Sequence, residues 1–197
     1  MAAPARSTPA KAAVHETPAD ITVFWRNVGR TKWFAKDPAF DELVCTRLEG
    51  SHHAAARGEF DSWAASSQGA LALVLLLDQV PRNLWRGSAH AFATDALARR
   101  VADTAIVQGH DMATPPDLRA FFYLPFAHSE SAADQARSVA LNGALAAATG
   151  NPDDDRSAIE HRQIVERFGR FPHRNRCLGR DSTAEETAFL AAGGFAG

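Results

Sequence analysis

The sequence has little cysteine and little lysine. Cysteine occurs twice in 197 residues, at Cys45 and Cys177, whereas the disulfide framework of a secreted protein would use more. This scarcity predicts reduced thiols and a cytoplasmic location. Arginine supplies nearly all of the 21 basic residues. That bias is typical of codon preference, but it also suits a site that needs planar, bidentate hydrogen-bond donors.

Several recognisable segments are also absent from the sequence. The longest apolar run, Ala70 to Leu77, is far shorter than the roughly 20 residues of a membrane helix, so no membrane association is predicted. No P-loop, dinucleotide fingerprint or Gly-x-Ser-x-Gly elbow occurs, and no cofactor is predicted. The formal net charge is -2, so bulk charge does not favour nucleic-acid binding, and any affinity for anions must be local.

The length of 197 residues predicts a single domain. Residues 1–17 are rich in alanine, proline and threonine and lack the apolar core of a signal peptide, so we expect a disordered N-terminal tail. Residues 18–197 would then form the domain. The composition leaves the oligomeric state open.

Helix punctuation recurs along the chain. Thr17-Pro18 and Asp37-Pro38 each combine an N-cap residue with proline at the first helical position. Residues 68–79 are apolar all round and richer in leucine and alanine than in β-branched residues, which favours a central buried helix over a buried parallel strand. Because no segment alternates apolar and polar residues as a half-buried strand does, the predicted fold class is all-α, with about eight or nine helices.

Other helix boundaries follow from glycine, proline and capping residues. We predict a short helix from Ser51 to Gly58 and a long amphipathic helix from Ser88 to Gln108. Asp95 lies on the long helix at a four-residue step from Arg99, which predicts a solvated face with ion pairs. The pattern Ser182-x-x-Glu185 resembles a capping box that would begin the last helix.

The most basic stretch is FGRFPHRNRCLGR at residues 168–180, with four arginines and no acidic residue. Arg170 follows a glycine that would end a helix, so its charge would stabilise the helix dipole. His173, Arg174 and Asn175 follow a proline and offer many hydrogen-bond donors in a short loop. The stretch therefore indicates one wall of a polar site.

A second candidate stretch is LLDQVPRN at residues 76–83. Asp78 would lie in the last turn of the buried helix, where its charge opposes the helix dipole and where burial without a partner costs on the order of several kcal/mol. Gln79, Arg82 and Asn83 follow it directly. Either a structural Asp–Arg pair or a functional site would explain a carboxylate at this position.

A third stretch is LPFAHSE at residues 124–130, which places His128 and Glu130 between two predicted helices. His128 is a candidate general base or acid, or else a histidine satisfied within the core. Glu130 near a helix start suits the helix dipole. His161 lies on the apolar face of its own helix. It points toward the same core as the basic loop that begins at Gly169. No metal-ligand spacing occurs and the nearby arginines would repel a cation, so no metal site is predicted.

Each of the three stretches flanks the end of a buried helix and is too polar to be buried alone, so we expect them to meet. Three hypotheses follow. The first is a binding module whose cleft holds an anionic small molecule or an acidic peptide. The second is an enzyme, a hydrolase or transferase acting on a phosphate or carboxylate compound, that uses His128 with Asp78 or Glu130. The third is a polar cluster that only cross-links helix ends.

The chain carries in order the stretches LALVLLLDQVPRN, LPFAHSE, HRQIVERFGRFPHRN and LGRDSTAEETAFL. Together they resemble the uncharacterised bacterial family called domain of unknown function 924, over about Ile21 to Leu190. The resemblance implies an all-helical fold similar to tetratricopeptide-like arrays and implies no established activity. Arg26 departs from it, since the family usually has an aromatic residue there. The family's signature matches Asp78, Gln79, Arg82, Asn83, His128, Ser129, Glu130, Gln135, His161, Gly169, Arg170, Pro172, His173, Arg174 and Asn175.

Overall fold

The computed structural model describes residues 15–151 and 153–197, and within these ranges it contains helices and no strand. The predicted all-α fold class is confirmed. The α-helices are α1 Pro18–Val28, α2 Arg30–Trp33, α3 Pro38–Ala56, α4 Ser67–Val74, α5 Val80–Leu84, α6 Asp95–Val107, α7 Pro116–Arg119, α8 Leu124–Ala127, α9 Ala132–Thr149, α10 Asp153–Phe168 and α11 Ala184–Ala191. Short 3-10 segments are Asp61–Ala65, Ala89–Phe92, Ala120–Phe122 and Pro172–Arg174.

The predicted N-terminal tail falls mostly on residues 1–14, which lie outside the described residues. None of the helices in the described ranges combines the length and apolar character that a membrane crossing requires. The tetratricopeptide-like arrangement of the helices stays a prediction.

Local capping explains where several helices begin. Thr17 and Asp20 form a capping box at the start of α1, and the Asp37 carboxylate accepts hydrogen bonds from the first backbone amides of α3. The last helix begins one residue later than predicted. Its N-cap is Thr183, whose backbone amide donates to the Glu186 carboxylate at 2.7 Å. The buried Glu186, and not Glu185, is therefore the reciprocal partner in this capping box.

The core centres on α4 and the turn that follows it, because every residue from Gly69 to Val80 is buried. The predicted central helix is therefore confirmed. Trp25, Phe121 and Phe122 pack in the same core. Ile164, Val165 and Phe171 make a smaller apolar cluster near the C-terminal end of the chain.

The central helix contains a π-helical turn at Leu75–Gln79, between α4 and α5. Pro81 lacks the N–H that would bond the carbonyl of Leu77 four residues earlier. The buried hydroxyl of Thr94 donates to that carbonyl at 2.6 Å instead. Turns of this kind occur often at functional sites. Here the turn carries Asp78 and Gln79.

Two further predicted helix boundaries are wrong. The segment from Ser51 to Gly58 is not a separate helix, because α3 continues through Ser51, whose side chain is buried, to Ala56. The predicted long helix from Ser88 to Gln108 is interrupted, because Ser88 caps a 3-10 turn and α6 begins only at Asp95. This shift places Asp95 in the first turn of α6, where it is buried instead of lying on a solvated face.

Candidate functional site

A cavity of about 800 Å³ lies against the polar end of the central helix. We call it the Arg174 cleft, after the buried arginine in its wall. It brings together residues from all three polar stretches that the sequence singled out, namely Gln79, Arg82, Asn83, His128, His173 and Arg174, together with the separately predicted His161. The predicted residues Asp78, Glu130, Arg170 and Asn175 are not among its lining residues.

Asp78 is fully buried just behind the cleft wall, at the π-helical turn. Its carboxylate accepts hydrogen bonds from Nδ1 of His128 at 2.8 Å and from the Gln79 amide at 2.5 Å, and lies 3.3 Å from Arg82. Burial raises the pKa of Asp78, but the charge of Arg82 and the contact with His128 outweigh burial and hold the pKa well below its usual value. Asp78, and not Glu130, is therefore the carboxylate that orients His128.

Arg82 links Asp78 to a carboxylate that sequence reasoning missed. Its two terminal nitrogens donate to Asp95 at 2.9 and 3.1 Å, and one of them also donates to the carbonyl of Asp78. The sequence pattern places Asp95 on a solvated face because it predicts a helix that begins at Ser88, whereas α6 begins at Asp95. The available signal was that an acidic residue is favoured in the first turn of a helix, which is where α6 places it.

Arg174 is 6% exposed, and its guanidinium lies near the same Asp95 carboxylate that Arg82 contacts. Its guanidinium carbon sits 4.4 Å from the ring centroid of Phe92 and 4.5 Å from that of Phe171. In the described part of the chain its guanidinium makes no hydrogen bond: Nε is buried without a partner, and the carboxylate of Asp95 is 3.8 Å away. Burial and the charge of Arg82 lower the pKa of Arg174 to about 10, so it stays charged near neutral pH.

Three histidines share the wall with Arg174. His128 uses Nδ1 to bond Asp78, and burial followed by the charge of Arg82 lowers its pKa. His161 donates from Nδ1 to the carbonyl of Ser157 at 2.6 Å, and burial lowers its pKa to about 4. Burial and the charge of Arg174 lower the pKa of His173 to about 3. All three rings are therefore neutral near pH 7.

Glu130 and Arg180 form a separate ion pair that anchors the basic loop. The Glu130 carboxylate accepts hydrogen bonds from the two terminal nitrogens of Arg180 at 2.7 and 2.9 Å and from the backbone amide of Phe171 at 2.8 Å. Arg180 also donates to Asn175 and to the carbonyl of Phe171. These contacts fix the loop that carries Arg174 and leave Glu130 no part in orienting His128.

Glu186 organises the rest of that loop. Its carboxylate accepts two hydrogen bonds from Arg170, at 2.6 and 2.8 Å, and one from the buried amide of Asn175 at 3.2 Å. Asn83, from the second polar stretch, is similarly engaged with Asp41 at 2.7 Å. Of the four arginines in the basic stretch, Arg174 alone lines the cleft.

The other side of the cleft is apolar and opens to solvent. Phe34 is 59% exposed and stacks on Phe121 with ring centroids 6.3 Å apart. Trp33 and Leu124 line the same side. The arrangement joins a buried charged wall to an aromatic wall, as small-molecule sites often do. Within the described ranges no three histidine, cysteine or acidic side chains converge as metal ligands would.

The chain matches, over residues 21–194, the family model described as "Bacterial protein of unknown function (DUF924)". It is also similar to the solved structure of the protein of unknown function ATU0120 from Agrobacterium tumefaciens, with 52% sequence identity and a TM-score of 0.84. That similarity covers 89% of this chain and 97% of that chain. No curated protein matches the chain. The resemblance based on the signature stretches is thus confirmed.

Proposed function

Because the chain belongs to the DUF924 family, whose description assigns no activity, we propose its function from the geometry of the site. The protein binds an anionic small molecule in the Arg174 cleft. The observation that carries this proposal is the state of Arg174, a buried cation that lines the cleft and makes no hydrogen bond within the described residues.

A charged group that is buried without hydrogen bonds costs stability. A purely structural role explains Arg174 poorly, since its two aromatic neighbours and the Asp95 carboxylate 3.8 Å away compensate only part of that cost. Residues that break a local rule in this way are typical of functional sites. An anion in the cleft would supply the missing acceptor, and the hydrogen bonds would be charge-assisted.

Two other arginines that line the cleft already have carboxylate partners. Arg82 is already paired with Asp95 and Asp78, and Arg86 makes two hydrogen bonds to Asp41, at 2.6 and 2.8 Å. A ligand that bound through these arginines would have to displace a carboxylate of the protein. Arg174 can accept an anion without such an exchange.

A thermal-shift screen of the full chain against carboxylates and phosphates tests this proposal. At about 100 times its Kd, a ligand adds about 2.7 kcal/mol to the free energy of unfolding, which corresponds to a rise in Tm of about 5–10 °C for a chain of this size. We expect at least one anion to raise the Tm of the wild type, and Arg174→Met to abolish that rise.

The matched control is Arg162→Met, which removes an equal charge from an exposed arginine whose pairing with Glu166 lies on the surface of α10. This variant should keep the full rise in Tm. The proposal is wrong if no carboxylate or phosphate shifts the Tm of the wild type, or if the Arg174 variant responds as the wild type does.

A second candidate function, catalysis by His128, is favoured by the 2.8 Å hydrogen bond between its Nδ1 and Asp78. A carboxylate on Nδ1 fixes the tautomer and leaves Nε2 to accept a proton. In hydrolysis of a bound ester, Nε2 would take a proton from water as the water oxygen bonds to the carbonyl carbon. The same proton would then pass to the leaving alkoxide as its bond to carbon breaks.

Product detection separates this candidate from binding alone. Carboxylate-bearing aryl esters and phosphomonoesters are incubated with the protein, and the released alcohol or phosphate is measured. If His128 is a general base, His128→Gln should slow turnover by about 100-fold or more while the anion-induced rise in Tm persists. Equal turnover in the two proteins, or no product from any substrate of either class, would rule this candidate out.

A further inference from the structure

We infer that the ligand of the Arg174 cleft is a monocarboxylate with a flat apolar body, and not a phosphate compound. This inference rests on the proposed function, since it names the chemical class of the anion that Arg174 would bind. It follows from three features of the cleft: the sum of the buried charges, the planar donors of the Arg174 guanidinium beside two aromatic rings, and the aromatic side of the cavity.

The buried charges balance before any ligand binds. Asp78 and Asp95 carry two negative charges, Arg82 and Arg174 carry two positive charges, and the three histidines are neutral near pH 7. The other charged side chains of the wall, on Arg30, Lys36, Arg86 and Asp117, are exposed and therefore screened by solvent.

A monoanion would leave the buried group with one negative charge, which a single proton on His128 could neutralise. A phosphate dianion would leave two negative charges, and among the described residues the site offers no further buried cation to neutralise them. The charge balance therefore favours an anion with a single negative charge.

The shape of the Arg174 environment restricts how the anion approaches. The guanidinium carbon of Arg174 lies 4.4 and 4.5 Å from the ring centroids of Phe92 and Phe171, so these two rings occupy part of the space around the guanidinium. An acceptor must come in near the plane of the guanidinium, where its N–H groups point. A planar carboxylate fits that approach with two parallel hydrogen bonds.

The rest of the cavity is too large and too apolar for a small inorganic anion. Its volume of about 800 Å³ is within the range of sites that enclose organic ligands of moderate size. Aromatic and aliphatic side chains cover much of its wall: Trp33, Phe34, Phe92, Phe121, Leu124 and Phe195. A flat apolar body would bury its faces against these rings.

Titration calorimetry of the full chain at pH 7.5 tests the inference with a series of ligands that differ in the charged group or in the naphthyl ring. The probes are 2-naphthoate, acetate, 2-naphthamide, 2-naphthyl phosphate and inorganic phosphate. We expect 2-naphthoate to bind at least tenfold more tightly than each of the others. Phe34→Ala, at an exposed wall position, should weaken 2-naphthoate several-fold and leave the affinity for acetate unchanged.

The outcomes separate this inference from the proposed function. If 2-naphthyl phosphate, inorganic phosphate or acetate binds as tightly as 2-naphthoate, the inference of a monocarboxylate with an apolar body is wrong, while the proposed binding of an anion stands. If 2-naphthamide binds as tightly as 2-naphthoate, the negative charge of the ligand plays no part in binding, and both the inference and the proposed function are wrong. If none of the anions binds, both are wrong as well.

Discussion

Replacing Asp78 with alanine should lower the free energy of unfolding by about 3–5 kcal/mol, as removal of one partner from a buried ion pair does. The side chain of Asp78 is 0% exposed and contacts Arg82, His128 and Gln79. Alanine would leave His128 without its acceptor and Arg82 with only Asp95 as a carboxylate partner. Urea denaturation at neutral pH measures the loss.

Two variants make this result specific to the buried charge. Asp78→Asn keeps the volume of the side chain, so a loss of similar size would show that the charge matters and not a cavity. Asp103→Ala removes an exposed carboxylate that pairs with Arg137, and should cost less than about 1 kcal/mol. A change below about 1 kcal/mol for Asp78→Ala would mean that Asp78 does not hold these helix ends together.

Replacing Arg174 with methionine should have the opposite effect on stability. The variant removes a buried charge that makes no hydrogen bond in the described residues, and the free energy of unfolding should stay within about 1 kcal/mol of the wild type or rise. Asp95 keeps both hydrogen bonds to Arg82 and loses only its 3.8 Å ionic contact with Arg174, so no carboxylate is left without a cation. Methionine can also pack against Phe92 and Phe171, which compensates for part of the lost cation–π contacts.

Arg180 provides the matched comparison, because it lies in the same loop and differs from Arg174 in its contacts. Its side chain donates hydrogen bonds to Glu130, Asn175 and the carbonyl of Phe171. Arg180→Met should therefore lower the free energy of unfolding by about 1–3 kcal/mol, since it leaves buried acceptors without donors. If Arg174→Met is as destabilising as Arg180→Met, Arg174 is a structural residue. That result would support the hypothesis that the polar cluster only cross-links helix ends.

Part of the candidate site could be predicted from the sequence. The basic stretch, the buried Asp78 and His128 were recognised because each breaks a local rule that composition and helix position make visible. Their convergence at one cavity was a correct expectation for Arg82, His128 and Arg174. The all-α fold followed from capping signals and apolar patterns that depend on neighbouring residues alone.

The sequence could not show in the same way which polar residues of the site pair with each other. Whether an arginine meets a carboxylate depends on how distant helices pack, so the sequence does not show that Arg170 is paired with Glu186. Asp95 was missed for a related reason. Its burial depends on the start of α6, which is set by a 3-10 turn that the helical pattern of the sequence conceals.

The π-helical turn was also beyond the sequence prediction. Pro81 signals a missing hydrogen bond, but the side chain that replaces it, Thr94, comes from a distant segment. Tertiary packing therefore decides whether such a proline ends a helix or produces a local bulge. In this chain it produces the bulge that carries Asp78.

A crystal structure of the protein with 6-bromo-2-naphthoate tests most directly whether Arg174 receives an anion in the cleft. The bromine atom gives an anomalous signal that locates the ligand independently of the protein. We expect the carboxylate oxygens within about 2.7–3.2 Å of the Arg174 guanidinium nitrogens, and the bromine peak beside Phe34 and Phe121. An empty cleft at a saturating ligand concentration, or a ligand bound without contact to Arg174, would contradict the proposed function.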